Sequence, residues 1–200
     1  GVVDSTLRPN QILAVGGLPH AVVRGERARR IVEAVEAQLW TPLGLRTLSP
    51  HDPAYCGVYG GGPRERDGAY HQGTAWPWLL GAFTLAWVAV HGETTEAKAE
   101  ADVRFLKPLL RHMEEAGLGH VSEIVDAQAP HTPRGCPFQA WSVGEALRLT
   151  RILGTGSPGP EGKGRSRNPK RVVASKRRSR TPTEVAVGSA VPAPCLEAYL

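Results

Sequence analysis

Trp76-Pro-Trp-Leu-Leu-Gly-Ala-Phe-Thr-Leu-Ala-Trp-Val-Ala-Val90 is apolar nearly all the way round a helical wheel. Such a segment predicts a helix buried on most sides, and Pro77 suits its first turn. A helix of that kind needs amphipathic neighbours to cover it. Residues 31–39 supply one, with Ile31, Val32, Val35 and Leu39 at helical spacing among Glu and Arg. Residues 96–115 supply another through Ala97, Ala101, Phe105, Leu109 and Met113, and Gly117 is placed to stop it. A further helix is expected over 138–153, and one over 9–23 with a weak point at Gly16-Gly17. No alternating strand pattern competes, so the expected class is all-α.

Between these helices lie two long connections. Residues 40–74 are rich in Gly, Pro, Tyr, Asp and His, and residues 117–136 have the same character. Connections of that length are functional or unfolded. The rings of His51, Tyr55, Tyr59, Tyr70 and His71 argue against an unfolded one.

Charge separates the body from the tail. Residues 154–200 hold nine Lys/Arg and three acidic residues, a net +6. The preceding 153 residues hold fifteen and sixteen, a net −1. The tail is poor in aromatic residues, has no sustained periodicity, and reads as disordered. The division is therefore 1–153 as the folded body and 154–200 as a basic Gly/Pro/Arg-rich tail. Nine cations could neutralise phosphates. They lack interleaved aromatic rings for base stacking, and the near-neutral body adds no patch, so a nucleic-acid partner is not expected. The chain has no apolar run of 18 residues, which argues against a membrane helix. Its N-terminus does not read as a signal peptide. Cys56, Cys136 and Cys195 are widely spaced, without a zinc pattern, and fit a reducing, cytoplasmic setting. No metal or cofactor is implied.

Four segments combine rings, amides, Arg and carboxylates: Leu7-Arg-Pro-Asn-Gln11, Arg66 to Trp78, Val121-Ser-Glu-Ile-Val-Asp126, and Pro133 to Trp141. A sugar needs that mixture, because its C–H faces stack on rings and its hydroxyls take paired hydrogen bonds. Hydrolysis of a glycosidic bond adds two carboxyl groups, one to protonate the leaving oxygen and one to activate water or attack carbon.

The runs RPNQI, GLRTLSP, RDGAYHQGTAWPWLLG, GLGHVSEI and PRGCPFQAWSVGEALR closely resemble the C-terminal part of bacterial glycogen debranching enzymes of the amylo-α-1,6-glucosidase type. The resemblance covers Asp4 to Leu153. It implies part of an (α/α)₆ toroid, with about five of twelve helices in this chain. It also implies hydrolysis, with inversion, of α-1,6-linked glucose in a glycogen-type α-glucan. By the same resemblance Glu123 takes the general-base position and the acid is an Asp on an upstream segment, so the chain alone would be inactive. After Asp126 the chain reads Ala127-Gln128 where the family pattern has Gly-Asp.

The local chemistry suits a base. An extended Val121-to-Val125 run puts Glu123 between two valines, where a carboxylate loses hydration and gains basicity. The expected substrate contacts are Arg8, Asn10, Asp67, Tyr70, His71, Gln72, Trp76, Gln139 and Trp141. Core packing competes with sugar stacking for Trp76 and Trp78. Trp40 and Trp87 are expected in the core, and His112 and His131 at the surface. Arg134 and Gln139 would each line the site or fix the loop that holds Glu123. Two further readings stand beside the glycosidase: a carbohydrate-binding or scaffold remnant without catalysis, and the tail-driven nucleic-acid binder.

Overall fold

The computed structural model describes residues 3–154; the tail from 155 onward, expected to be disordered, lies outside them. The central element is the helix α3 (Leu79–Val90). Leu80, Phe83, Ala86 and Trp87 are at most 2% exposed, and Leu79, Ala82 and Val88 join them in one core. Burying a side chain of the Leu or Phe class contributes about 1.5–3 kcal/mol. This makes α3 the strongest local source of stability.

Around it pack α1 (Gly25–Gln38), α4 (Thr95–Ala101) and α6 (Ala140–Leu153). The first presents Ala28, Val32 and Val35. The second is capped by Thr94, whose hydroxyl accepts from the Ala97 N–H at 3.1 Å. The third ends on Gly154 in the left-handed conformation, φ 77°. The helix expected over 96–115 is present but divided. A π-helical turn, Asp102–Leu106, separates α4 from α5 (Lys107–Glu115). The break lies just ahead of Pro108, which lacks an N–H and would press on the preceding turn of a regular helix.

Three expectations are corrected. The molecule is helix-rich rather than all-α. A small antiparallel sheet joins β1 (Trp40–Thr41), β2 (Gly44–Arg46), β3 (Ala75–Trp76), β4 (Ile124–Val125) and β5 (Pro133–Arg134), in that order. Its register pairs Leu45 with Trp76, Ala75 with Val125, and Ile124 with Arg134. Trp76 is therefore a strand residue, and α3 begins after Pro77. The connection 40–74 also contains a short helix, α2 (Pro63–Tyr70). Finally, the segment 9–23 forms only a 3₁₀ turn, Pro9–Ala14, followed by bends.

That last correction has a steric reason. Gly16 lies flat on α3, where a Cβ would stand 2.5 Å from the Ala86 nitrogen and 2.8 Å from the Ala82 oxygen. Both are helix backbone and cannot yield. Gly16→Ala is therefore expected to cost about 1–3 kcal/mol by overpacking. Gly144, on the exposed side of α6, has open space where a Cβ would go. Gly144→Ala should instead stabilise by about 0.5–1 kcal/mol through helix propensity. Urea denaturation of the two variants measures both, and equal midpoints would contradict the packing described.

Candidate active site

Glu123 is 8% exposed. A carboxylate so buried needs donors for its oxygens, and two separate elements supply them. The Tyr70 hydroxyl, at the end of α2, donates to Oε1. The Cys136 N–H donates to Oε2 at 2.8 Å. The same two residues are also joined through their backbones, the Glu123 N–H donating to the Cys136 carbonyl at 2.9 Å. Gly135 makes the approach possible. Its φ is +67°, and a Cβ there would stand 2.5 Å from Glu123 Oε2.

Of the run around Glu123 only Ile124–Val125 is strand and Glu123 stands at a bend, so the expected extended run with both valines on one side does not form, and its residues are buried on both sides. Val121 enters the main core, while Val125 joins Ala75 and Ala127 in a separate small cluster. Ser122 and Ile124, of opposite parity, are at most 3% exposed. Three residues beyond Glu123, Asp126 is committed elsewhere. It accepts from Arg134 Nε at 3.0 Å and from the Tyr59 N–H at 2.8 Å, and Arg134 Nη2 lies 2.9 Å away. Arg134 thus fixes the loop, the second of its two expected roles.

Aromatic rings gather beside the carboxylate. Tyr70 meets Trp76 edge-on at 4.8 Å, and His71 stacks on Trp76 at 5.1 Å. Trp141 lies over Trp78 at 5.1 Å and meets Trp76 edge-on at 6.2 Å. Trp141 is 49% exposed and Trp76 only 5%. Trp141 therefore presents its ring to solvent, backed by the stacked Trp78, while Trp76 is buried beneath His71 and Tyr70.

The other expected contacts divide. Arg8 donates to the carbonyls of Thr47 at 3.1 Å and His71 at 2.8 Å, and to Gln72 Oε1 at 2.9 Å. Arg8 and Gln72 therefore form a clamp that holds the end of α2, and with it Tyr70. Gln139, the residue before α6, ties its N–H to the Val121 carbonyl at 2.9 Å. Asn10 and Asp67 are exposed, on the 3₁₀ turn and on α2.

His112 is not a surface residue. It is 5% exposed on the inner face of α5, and its Nε2 lies 3.3 Å from the Ser122 hydroxyl and 3.5 Å from the Ser122 N–H. Burial pushes the imidazole below its ordinary value of 6.5, and the charge of Glu115 offsets part of that. The sequence held a signal for it, since position 112 continues the apolar stripe through Phe105 and Leu109. Cys136 left no signal, because it acts through its backbone.

With a helix-rich body and a buried, ring-flanked carboxylate in place, sequence relationships define the class. The chain belongs to the amylo-alpha-1,6-glucosidase family, which it matches over residues 2–148. It is similar to the glycogen debranching enzyme of Saccharomyces cerevisiae, with 36% identity over 164 residues. That alignment covers 73% of this chain and 11% of the yeast protein. Among the described residues no helix is long and apolar enough to cross a membrane.

Tyr70→Phe removes a donor from a buried carboxylate. The expected loss of stability is about 1–3 kcal/mol, read from urea unfolding. An unchanged midpoint would show that the Tyr70–Glu123 bond adds nothing to the fold.

Proposed function

We propose that the chain is part of the catalytic domain of an inverting α-1,6-glucosidase acting on branched α-glucans in the cytoplasm, with Glu123 as the general base. One observation carries this reading. Within the family-matched region, Glu123 is a buried carboxylate held at both oxygens and flanked by an aromatic surface. Two donors fix the position of a base without consuming all of its lone pairs, so a water can still be bound and deprotonated. Tyr70, expected as a sugar contact, is better suited to orienting that carboxylate. Trp141 on Trp78 suits the apolar face of a glucosyl unit.

An inverting reaction also needs a general acid, roughly 6.5–9.5 Å from the base, with room between them for water. Asp126 is a poor choice, being spent on Arg134 and the Tyr59 amide. The acid is proposed to lie on the upstream segment indicated by the family resemblance, together with the remaining helices of an (α/α)₆ toroid. On this reading the chain alone does not debranch glucans. Half-exposed Trp141, stacked on the partly buried Trp78, also favours a second reading, a carbohydrate-binding piece without catalysis.

The decisive experiment uses this chain extended to the length of its relatives. Glu123→Gln is expected to keep glucan affinity and lose about 10²–10⁴-fold in turnover, because the amide keeps the shape but cannot take a proton. Glu114→Gln, at an exposed position of α5, is the control and should leave turnover nearly unchanged. Normal turnover in Glu123→Gln would remove Glu123 from the mechanism. Equal debranching by the 200-residue chain and its extended form would overturn the assignment of the acid to another segment.

A further inference from the structure

The connection between α5 and Glu123 is short and closed. The His112 carbonyl accepts from the N–H groups of both Ala116 and Gly117, at 2.9 Å each. The Gly119 N–H reaches the Met113 carbonyl, and the His120 N–H the Gly117 carbonyl, again at 2.9 Å. Gly117 is required in this turn, because a Cβ there would stand 1.8 Å from the His120 oxygen. The chain therefore folds back on α5 immediately, and Ser122 comes to lie against His112, one residue before Glu123. On its far side the same strand is held by Gln139 and Cys136.

The Ser122 hydroxyl can donate to the imidazole or accept from it, but the bond from the Ser122 backbone selects one state of the ring. A backbone N–H can only donate, so Nε2 must carry a lone pair to meet it. That places the ring proton on Nδ1 and keeps the imidazole neutral. Protonation of Nε2 would set one N–H against another, 3.5 Å apart at the nitrogens, end the bond to the strand backbone, and leave only the Ser122 hydroxyl, 3.3 Å away, to accept from the ring. The group whose charge acts on His112 is Glu115 on α5, and further along the chain come His120 in the turn and Glu123 beyond Ser122. Arg111 and Glu114 are exposed on α5.

We propose that His112 is a positioning residue for Glu123, holding Ser122 through an unprotonated imidazole nitrogen and so setting the place of the carboxylate strand against α5. The inference deepens the reading of Glu123 as the base and rests on it for its functional meaning. The coupling itself is structural. Protonating His112 should loosen the strand that carries the carboxylate, so its acid titration should be sensed at Ser122 and Glu123 before the fold is lost.

The test follows the backbone amides of Ser122 and Glu123 by NMR in the ¹⁵N-labelled 200-residue chain, from pH 7.5 downward. In the wild type both signals are expected to move with the same midpoint as the His112 ring. His112→Gln puts a non-titrating acceptor near the position of Nε2. It should keep the neutral-pH shifts and abolish their dependence on this midpoint. His112→Leu should displace both signals at every pH. Should His112→Leu fail to fold, the wild-type titration and His112→Gln decide the matter.

A stability measurement adds a second readout. A histidine depressed below 6.5 in the folded state contributes stability that is present above pH 6.5 and lost as pH falls through the folded value. His112→Gln should therefore lose less stability than the wild type on acidification. Amides that ignore the His112 titration, or that stay in place in His112→Leu, would overturn the proposal. Because the readout is a chemical shift, normal turnover in Glu123→Gln would remove the catalytic role of the carboxylate and leave the coupling standing.

Discussion

A carboxylate taken out of water must be met by donors, and much of the geometry on this side of the molecule follows from meeting Glu123. A buried charge without partners costs several kcal/mol even after relaxation. Tyr70 and Cys136 supply the bonds, and they lie 53 and 13 residues away in sequence. Each has to be brought in by its own support. For Tyr70 the support is the Arg8 clamp on His71 and Gln72, which closes the end of α2. For Cys136 it is the pairing of β4 with β5, extended by the bonds from Glu123 and Gln139. Asp126 and Arg134 lock the same hairpin three residues further on. The site is thus one set of mutually dependent contacts spread over several loops.

The helices do a different job. Buried around most of its circumference, α3 gives α1, α4 and α6 a common surface to pack on. Arg104 ties this framework to the sheet, with its guanidinium 5.3 Å from the centre of the Trp40 ring and 5.5 Å from that of Trp87. It also pairs with Glu36, which takes the Trp87 indole N–H at 3.0 Å. The contact links α1, β1, the π-helical turn and α3 at one point. A cation between rings and a carboxylate is held more firmly than an exposed pair, since part of its hydration is already gone. The helices and the short paired strands together give the connecting loops fixed ends from which to position their side chains.

The helices were legible in the sequence because packing on α3 imposes a period. Ile31, Val32, Val35 and Leu39 repeat at helical spacing, and so do Ala97, Ala101, Phe105 and Leu109. The sheet was not legible, because strands of two or three residues are too short to show an alternation. Ile124 and Val125 are both buried, so even the local pattern is flat. Between Pro9 and Val23 the apolar spacing suggested a helix. The close approach of Gly16 to α3 overrode it, and nothing in the sequence marks which helix a glycine will touch. In the site, Glu123 and the rings of Tyr70, His71, Trp76 and Trp141 were visible by residue type. Their division into rings that present a face and rings that support one was not. It depends on burial, which sets Trp141 apart from Trp76 although both lie in similar polar–aromatic runs.

Residue type also misleads where a side chain is polar but its place is inside. His112 is the instance. An imidazole on α5 suggested a surface position, yet the apolar stripe it continues runs into the core. Burying it neutral avoids the cost of burying a charge, and one nitrogen can accept from Ser122. A Leu in its place would fill the stripe but offer nothing to the Ser122 N–H, leaving a buried backbone donor unpaired. A Lys could not accept at all. A neutral imidazole or an amide can sit on that face of the helix without a charge and take a bond from the strand leading to Glu123. The helical framework and the candidate site meet at that contact. The position of the carboxylate then depends on the core and on one proton, as well as on the loops that donate to it.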